Sequence, residues 1–260
     1  MSADQSVLSE RPKAGSLIRD WRRRRRISQL DLALAAEVSM KHLSFVETGR
    51  STPSRTLLLR LAEQLEMPLR ERNALLAAGG YVAAFPERPL SDPAMRVARE
   101  AVELVLSGHE PYPALAIDRS WQIVARNSGV AWLTEKIAPE LAAGGNLLRI
   151  LLHSEGLSGR IRNLDQWRGH LLGRLRRQLN ASGDAELAAL MAEFGSTGGA
   201  LSDGGELLVP LHLQTSKGDL NLFVTTTLFG GPMDVTLSEL ALECFYPTDE
   251  ESRRLLMAGA

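Results

Sequence analysis

Residues 28–53, SQLDLALAAEVSMKHLSFVETGRSTP, leave few choices of fold. Ser28-Gln29 opens a short helix with an apolar face at Leu32 and Ala33, and Ala36-Glu37-Val38 makes a tight turn. Ser39 then caps a second helix that runs to about Thr48, where Gly49 stops it. Two short helices joined in this way are either an ordinary helical hairpin or the helix-turn-helix arrangement. In the latter the second helix enters the DNA major groove.

Charge separates the two readings. The 260-residue chain is nearly neutral at −1, but residues 11–78 carry 14 Lys/Arg against 7 Asp/Glu, whereas residues 79–260 carry 16 against 22. A basic amino-terminal segment joined to an acidic remainder is what phosphate binding predicts, because Lys and Arg release condensed counterions from DNA. The run Arg22 to Arg26 follows Leu17, Ile18 and Trp21, so its helix has an apolar stripe to bury and charges left over for phosphates. The other reading of such a run is a solvated helix face.

Pro53-Ser54 precedes a helix expected from about Arg55 to Glu66, with Leu58, Leu61, Ala62 and Leu65 at helical spacing. Leu69 to Ala78 supplies a fifth helix, ended by Gly79-Gly80. Residues 15–78 resemble the Cro/repressor-like (XRE) DNA-binding domains, an all-α five-helix fold. The likeness rests on the SQ-x-x-LA stretch, the VS at the second helix's cap, VETGR at its end and PS before the fourth helix. The resemblance implies that Gln29 holds a phosphate at a helix N-terminus and that Met40, Lys41 and Ser44 meet base edges. It implies further that Phe45 touches a thymine methyl and that Arg50 and Ser51 hold backbone phosphates. Leu43 and Val46 would point inward, His42 would take a packing or phosphate role, and Glu47 would pair an arginine of the first helix. Relatives often place glycine in the turn where this chain has Glu37; at positive φ a side chain there costs about 1 kcal/mol.

The expected domain plan is a flexible arm over 1–14, a helix-turn-helix domain over 15–79, a proline-containing linker over 80–93 and a second domain over 94–260. No run is apolar enough to span a bilayer, no secretory signal is expected, and the single cysteine, Cys244, suits a reducing cytoplasm.

The second domain alternates helix and strand: a helix at 93–106, a strand at 113–118, a hairpin partner at 121–125, and a helix capped by Asn127 running towards Glu135. Two helices follow at 163–179 and 184–194, then a glycine-rich loop at 195–205. Strands at 207–214 and 220–229 meet around Lys217-Gly218, and a last helix covers 249–257. This order predicts an α+β sheet with its helices on one face, the order of PAS-like domains. The segments YPAL-x-x-D-x-x-W-x-x-x-x-x-N (112–127), W-x-x-x-L-L-x-x-L-R (167–176) and DVTLSELALECFYPTDEES (234–252) resemble the ligand-binding domain of MmyB-like transcription regulators. That likeness implies a cytoplasmic bacterial regulator with a PAS-like ligand-binding domain whose apolar pocket can hold a fatty-acid-like molecule.

Candidate pocket residues are Leu115, Ile117, Trp121, Trp132, His153, Trp167, Arg168, Leu171, Leu222, Val224 and Thr226. For the aromatic and strand residues the plain alternative is core, and for His153, His170 and Arg168 it is a solvated helix face. Arg174, Arg176 and Arg177 are expected to face water or cover acidic surface. No metal-ligand spacing, catalytic motif or cofactor site beyond a bound fatty acid is expected, and Cys244 reads as a buried inert thiol. The expected partners are an operator duplex, a small apolar ligand and a second copy of the chain. A pure dimerisation module, or a haem or redox sensor, remains the alternative for the second domain.

Overall fold

The computed structural model describes residues 13–134, 137–195 and 208–258, without the side chains of Trp132 and Leu133. The expected arm thus falls outside the described residues up to position 12, as does the glycine-rich loop beyond Gly195. The chain divides into two compact units, 1–86 and 87–260.

The first unit has five helices among the described residues: α1 Ala14–Arg24, α2 Gln29–Ala35, α3 Met40–Glu47, α4 Arg55–Gln64 and α5 Leu69–Ala78. Side chains of Ser28, Ser39 and Ser54 accept from the backbone N–H three residues on, so three helices start on serine caps read from the sequence. α3 ends as a Schellman motif: Gly49 lies at φ +73°, its N–H donates to Val46 O, and Arg50 N–H donates to Phe45 O. Ile18, Trp21, Leu32, Leu43, Val46, Leu58, Leu61, Leu65, Leu75 and Leu76 close the core. α1 crosses the end of α3 at Gly15, where an added Cβ would lie 2.1 Å from Val46 O.

One ion pair crosses this core. Glu47, 3% exposed, receives Arg22 Nε at 2.7 Å and Nη2 at 2.9 Å, and Gln29 Nε2 at 2.9 Å. Hydrogen bonding to Glu47 raises the Arg22 pKa above its ordinary value, against the opposing effect of burial. The arginine run is therefore divided. Arg22 is internal, Arg25 donates to Leu65 O and Glu66 O at the end of α4, and Arg24 lies over the Trp21 ring. Arg23 and Arg26 keep side chains without a polar partner among the described residues.

The second unit opens with a short turn, Pro93–Met95, that runs into α6 Arg96–Gly108, followed by β1 Ala114–Ile117 and β2 Ile123–Arg126. Helices α7 Ala131–Thr134, α8 Pro139–Gly144, α9 Leu147–Leu152, α10 Leu164–Ser182 and α11 Ala185–Gly195 come next. Then come β3 Leu211–Thr215, β4 Gly218–Leu228, α12 Val235–Ser238, β5 Ala241–Pro247 and α13 Glu250–Ala258. The strands form one antiparallel sheet in the order β2-β1-β5-β4-β3.

Four expectations change here. The segment between the strand expected at 220–229 and the last helix, for which no strand was expected, supplies β5, the central strand, between β1 and β4. Trp121 belongs to the turn rather than to the second strand: its φ is +66°, and Asp118 holds Ser120 N–H and Gln122 N–H around it. Asn127 precedes a helical turn, but its side chain makes no cap. Its Oδ1 accepts Ala114 N–H and its Nδ2 donates to Leu106 O and Tyr112 O, tying α6 to β1. Finally, helices cover both faces. α6 lays Val102 and Leu106 on Ala114, Ala116, Leu242 and Cys244, opposite the larger core of Leu115, Ile117, Leu148, Leu151, Leu211, Leu222 and Phe245. Every residue of β1 is buried, and a strand buried on both sides needs cover on both.

Of the stretch 80–93, Tyr81 donates to Pro53 O and Asn73 holds Ala84 and Phe85 in the first unit. Arg88 pairs Asp234 and Leu90 accepts from Arg99 in the second.

Removing one partner of a buried pair leaves an uncompensated charge. Glu47→Ala is therefore expected to lower the unfolding free energy of the first unit by about 3 kcal/mol. Glu37→Gly is expected to raise it by up to about 1 kcal/mol, since Glu37 sits at φ +55° and its exposed pair with Arg60 contributes little. Denaturant titration followed by circular dichroism checks both.

Candidate functional site

In the first unit the second helix of the pair, α3, buries Leu43 and Val46 and turns Met40 and Lys41 outward, with Met40 52% exposed. Ser44 and Phe45 are half-buried on the adjoining face. The Phe45 ring is flanked by Lys41 Nζ at 5.8 Å and Arg50 Cζ at 6.0 Å. Arg50 N–H and Ser51 N–H both donate to Phe45 O, so the loop carrying the two expected phosphate ligands is bound to the end of α3. Met40, Lys41, Ser44, Phe45, Arg50 and Ser51 thus lie on one short helix and the loop that closes it. Gln29 opens α2 as expected, with its amide turned onto Glu47. His42 is half-buried and its N–H is taken by the Ser39 cap.

In the second unit a cavity of about 230 Å³ lies between α9, α10 and the sheet. Its lining is Trp121, Leu147, Leu151, Trp167, His170, Leu171, Arg174, Arg177, Val224, Thr226, Glu243 and Phe245. Five expected residues are among them: Trp121, Trp167, Leu171, Val224 and Thr226. Leu115, Ile117 and Leu222 are in the fully buried core instead and do not reach the cavity. His153 ends α9, where its Nδ1 accepts Glu155 N–H, and neither it nor Arg168 lines the cavity. Trp132 is on α7, with its side chain outside the described residues.

The polar lining departs most from expectation. Arg174, expected at the surface, is half-buried on the face of α10 that also carries Trp167, His170 and Leu171, whereas Arg177 stays exposed as expected and stands at the rim of the cavity. Arg174 Nη2 pairs Glu243 Oε1 at 2.5 Å while its guanidinium lies 4.7 Å over the Trp121 ring. Glu243, 2% exposed on β5, also accepts the Thr226 hydroxyl at 3.1 Å. Trp121 Nε1 donates to Gln178 at 2.8 Å, and Asn146 Nδ2 holds Ser120 O beside it, so the left-handed turn is locked from two sides. Positive φ at Trp121 re-aims the indole, placing a large apolar surface against the cavity.

His170 stacks on Trp167, ring centroids 5.5 Å apart. Burial first, then Arg174 and Arg177, push its pKa below the ordinary imidazole value, with Glu243 opposing. Trp167 Nε1 is buried without an acceptor among the described residues. Arg177 has no ion-pair partner among them, so with a neutral imidazole the lining carries two guanidinium charges and one carboxylate. Burial, aided by Glu243, pushes the Cys244 thiol up, which keeps it protonated and unreactive.

A helix-turn-helix unit, followed by an α+β domain that carries a small, partly aromatic cavity, defines a two-domain protein of the helix-turn-helix class. Residues 98–258 match the MmyB-like transcription regulator ligand binding domain, and residues 18–72 match a helix-turn-helix domain. The chain belongs to the MmyB-like transcription regulator family. It is also similar to RghRB of Bacillus subtilis (strain 168), an uncharacterized HTH-type transcriptional regulator, with 35% identity over 74 residues. That match spans 28% of this chain and about half, 51%, of the relative's length. No helix among the described residues is long and apolar enough to cross a membrane.

The sign of the His170 effect follows from linkage. The unfolded chain takes up a proton near the ordinary value of 6.5, whereas the folded chain resists it to lower pH. Stability of the second unit should therefore decline as pH falls below 6.5, and His170→Gln should flatten that part of the slope. Chemical unfolding at a series of pH values reads this directly.

Proposed function

We propose that the protein is a cytoplasmic transcription regulator that binds a two-fold operator as a homodimer and senses a slender, fatty-acid-like monoanion in its second domain. The observation that carries the ligand reading is the cavity itself. Apolar walls of Leu147, Leu151, Leu171, Val224 and Phe245 meet, at the exposed rim, one guanidinium, Arg177, that has no counter-charge among the described residues. A single anionic group there would make the lining electrically neutral, and neutral His170 could donate a hydrogen bond to it. An acceptor on the same ligand would also satisfy the indole N–H of Trp167. The volume, about 230 Å³, falls just below the roughly 300 Å³ at which small-molecule sites usually begin, which favours a narrow occupant. The sheet order, with α7 to α11 inserted between the β1–β2 hairpin and β3, supports the PAS-like reading of this domain.

The DNA reading is carried by the outward face at the start of α3 in a basic unit. Met40, Lys41, Ser44 and Phe45 would read base edges, Arg50 and Ser51 would hold phosphates, and Gln29 would reach a phosphate from the amide group it now turns to Glu47. One reading helix covers a half-site, so two copies on a two-fold operator are required for a full one.

Native mass spectrometry of gently purified protein, followed by denaturing extraction, is expected to release a long-chain acyl anion in stoichiometric amount. Arg177→Ala should lower its occupancy at least about tenfold, the scale of one lost charged hydrogen bond. Protein that stays empty when offered such acids would overturn the ligand reading. On operator DNA, Lys41→Ala is expected to cost about 1–3 kcal/mol and relax base preference, whereas Gln29→Ala should weaken binding evenly across sequences. Fluorescence anisotropy with cognate and scrambled duplexes separates the two patterns.

A further inference from the structure

α6 has two apolar sectors where one would suffice. The first, Val102 and Leu106, is buried on the sheet. At 100° per residue the second gathers Val97, Ala101, Leu104, Val105 and Gly108 into an arc of about 100° on the side turned away from the sheet. Val97 is 68% exposed and Leu104 is 73% exposed. Charged residues stand along one margin of this stripe. Arg96 Nη1 meets Glu100 at 2.7 Å, and Glu103 has no ion-pair partner among the described residues.

We propose that this stripe is the contact between two copies of the chain, α6 packing antiparallel on α6. The pattern is self-complementary, as a two-fold contact must be. With the axis near Glu100-Ala101, Leu104 of each copy covers Val97 of the other, and Ala101 lies at the crossing, where its small side chain lets the helices approach. The same axis brings Glu103 within reach of Arg96 of the second copy, twice over. An anionic membrane surface fits this stripe poorly, because Glu100 and Glu103 flank it. The helix has 13 residues and is about 20 Å long, so a single crossing buries less than the roughly 1,600 Å² of a standard interface. A weak dimer, tightened by an operator that holds both copies, is the expectation for so small a contact.

This inference rests on the dimeric reading above, and sedimentation velocity on the full chain over a concentration series tests the two separately. The wild type is expected to dimerise, and Leu104→Glu to raise the dissociation constant at least about tenfold, as a central contact should. Glu103→Arg should weaken the dimer, and Arg96→Glu added to Glu103→Arg should restore it. Met257→Glu, at another exposed apolar residue, on α13, should change nothing. Circular dichroism melts taken below the dissociation constant of the wild type should stay at wild-type values, because Leu104 and Glu103 face solvent in the single chain. Dimers unaffected by Leu104→Glu and by Glu103→Arg would overturn the α6 contact and leave the dimeric reading standing. A wild type that is monomeric at all concentrations, with and without operator, would overturn both. A monomer that expands on Leu104→Glu would assign the stripe to another part of the same chain and overturn the contact as well.

Discussion

A carboxylate taken out of water has to keep a cation and hydrogen-bond donors beside it, and each unit of this protein is built round one such group. In the first unit Glu47 draws Arg22 from α1 and Gln29 from α2 onto the end of α3. In the second, Glu243 on the central strand draws Arg174 from α10 and Thr226 from β4. Neither pair is strong evidence of added stability, since apolar residues of equal volume could fill the same space. What each does is specify one arrangement. A helix rotated or slid away from its position would leave a buried charge unmatched.

These two constraints lie close to the surfaces that matter for function. Glu47 is the last residue of the proposed reading helix, so the orientation of Met40, Lys41 and Ser44 is referred back to α1 through a bidentate contact. Glu243 occupies the cavity wall itself and neutralises Arg174, which leaves Arg177 as the uncompensated guanidinium of the lining among the described residues. A ligand anion at Arg177 would sit one helical turn from the pair that ties α10 to β5. That proximity offers a physical route from cavity to sheet, because α10 and β5 hold their relative position partly through Arg174.

Local chemistry carried much of the fold in the sequence. Ser28, Ser39 and Ser54 start helices wherever they occur, and Gly49 ends one, because capping depends on a few neighbouring atoms. Leu43 and Val46 at helical spacing showed which side of α3 is buried. β5 was illegible for a definite reason. A central strand with both faces covered has no alternation to read, and Leu240 to Phe245 looks like any apolar run. α9, LLRILL, failed in the same way, with five of its six residues buried and no polar face to set a period.

Sequence by itself determined the units, the helix pair and the residue types available to a pocket, since spacing and caps act over a handful of residues. Tertiary structure decided which of those residues meet. Arg22 and Arg23 are neighbours in one run, yet only Arg22 is drawn inside, because Glu47 arrives from 25 positions away. Arg174 reads as surface until α10 is laid over the sheet, where it is half-buried, while Arg177 stays exposed at the cavity rim. The face of Arg174 then holds Trp167 and Leu171 too, and the i, i+4, i+7 spacing from Trp167 was the available sign. Leu115 and Leu222 went the other way, from candidate lining to closed core, because their side chains are packed wholly among other apolar residues. Long-range contact sets a side chain's burial, and burial decides whether an arginine is solvent, strut or ligand site.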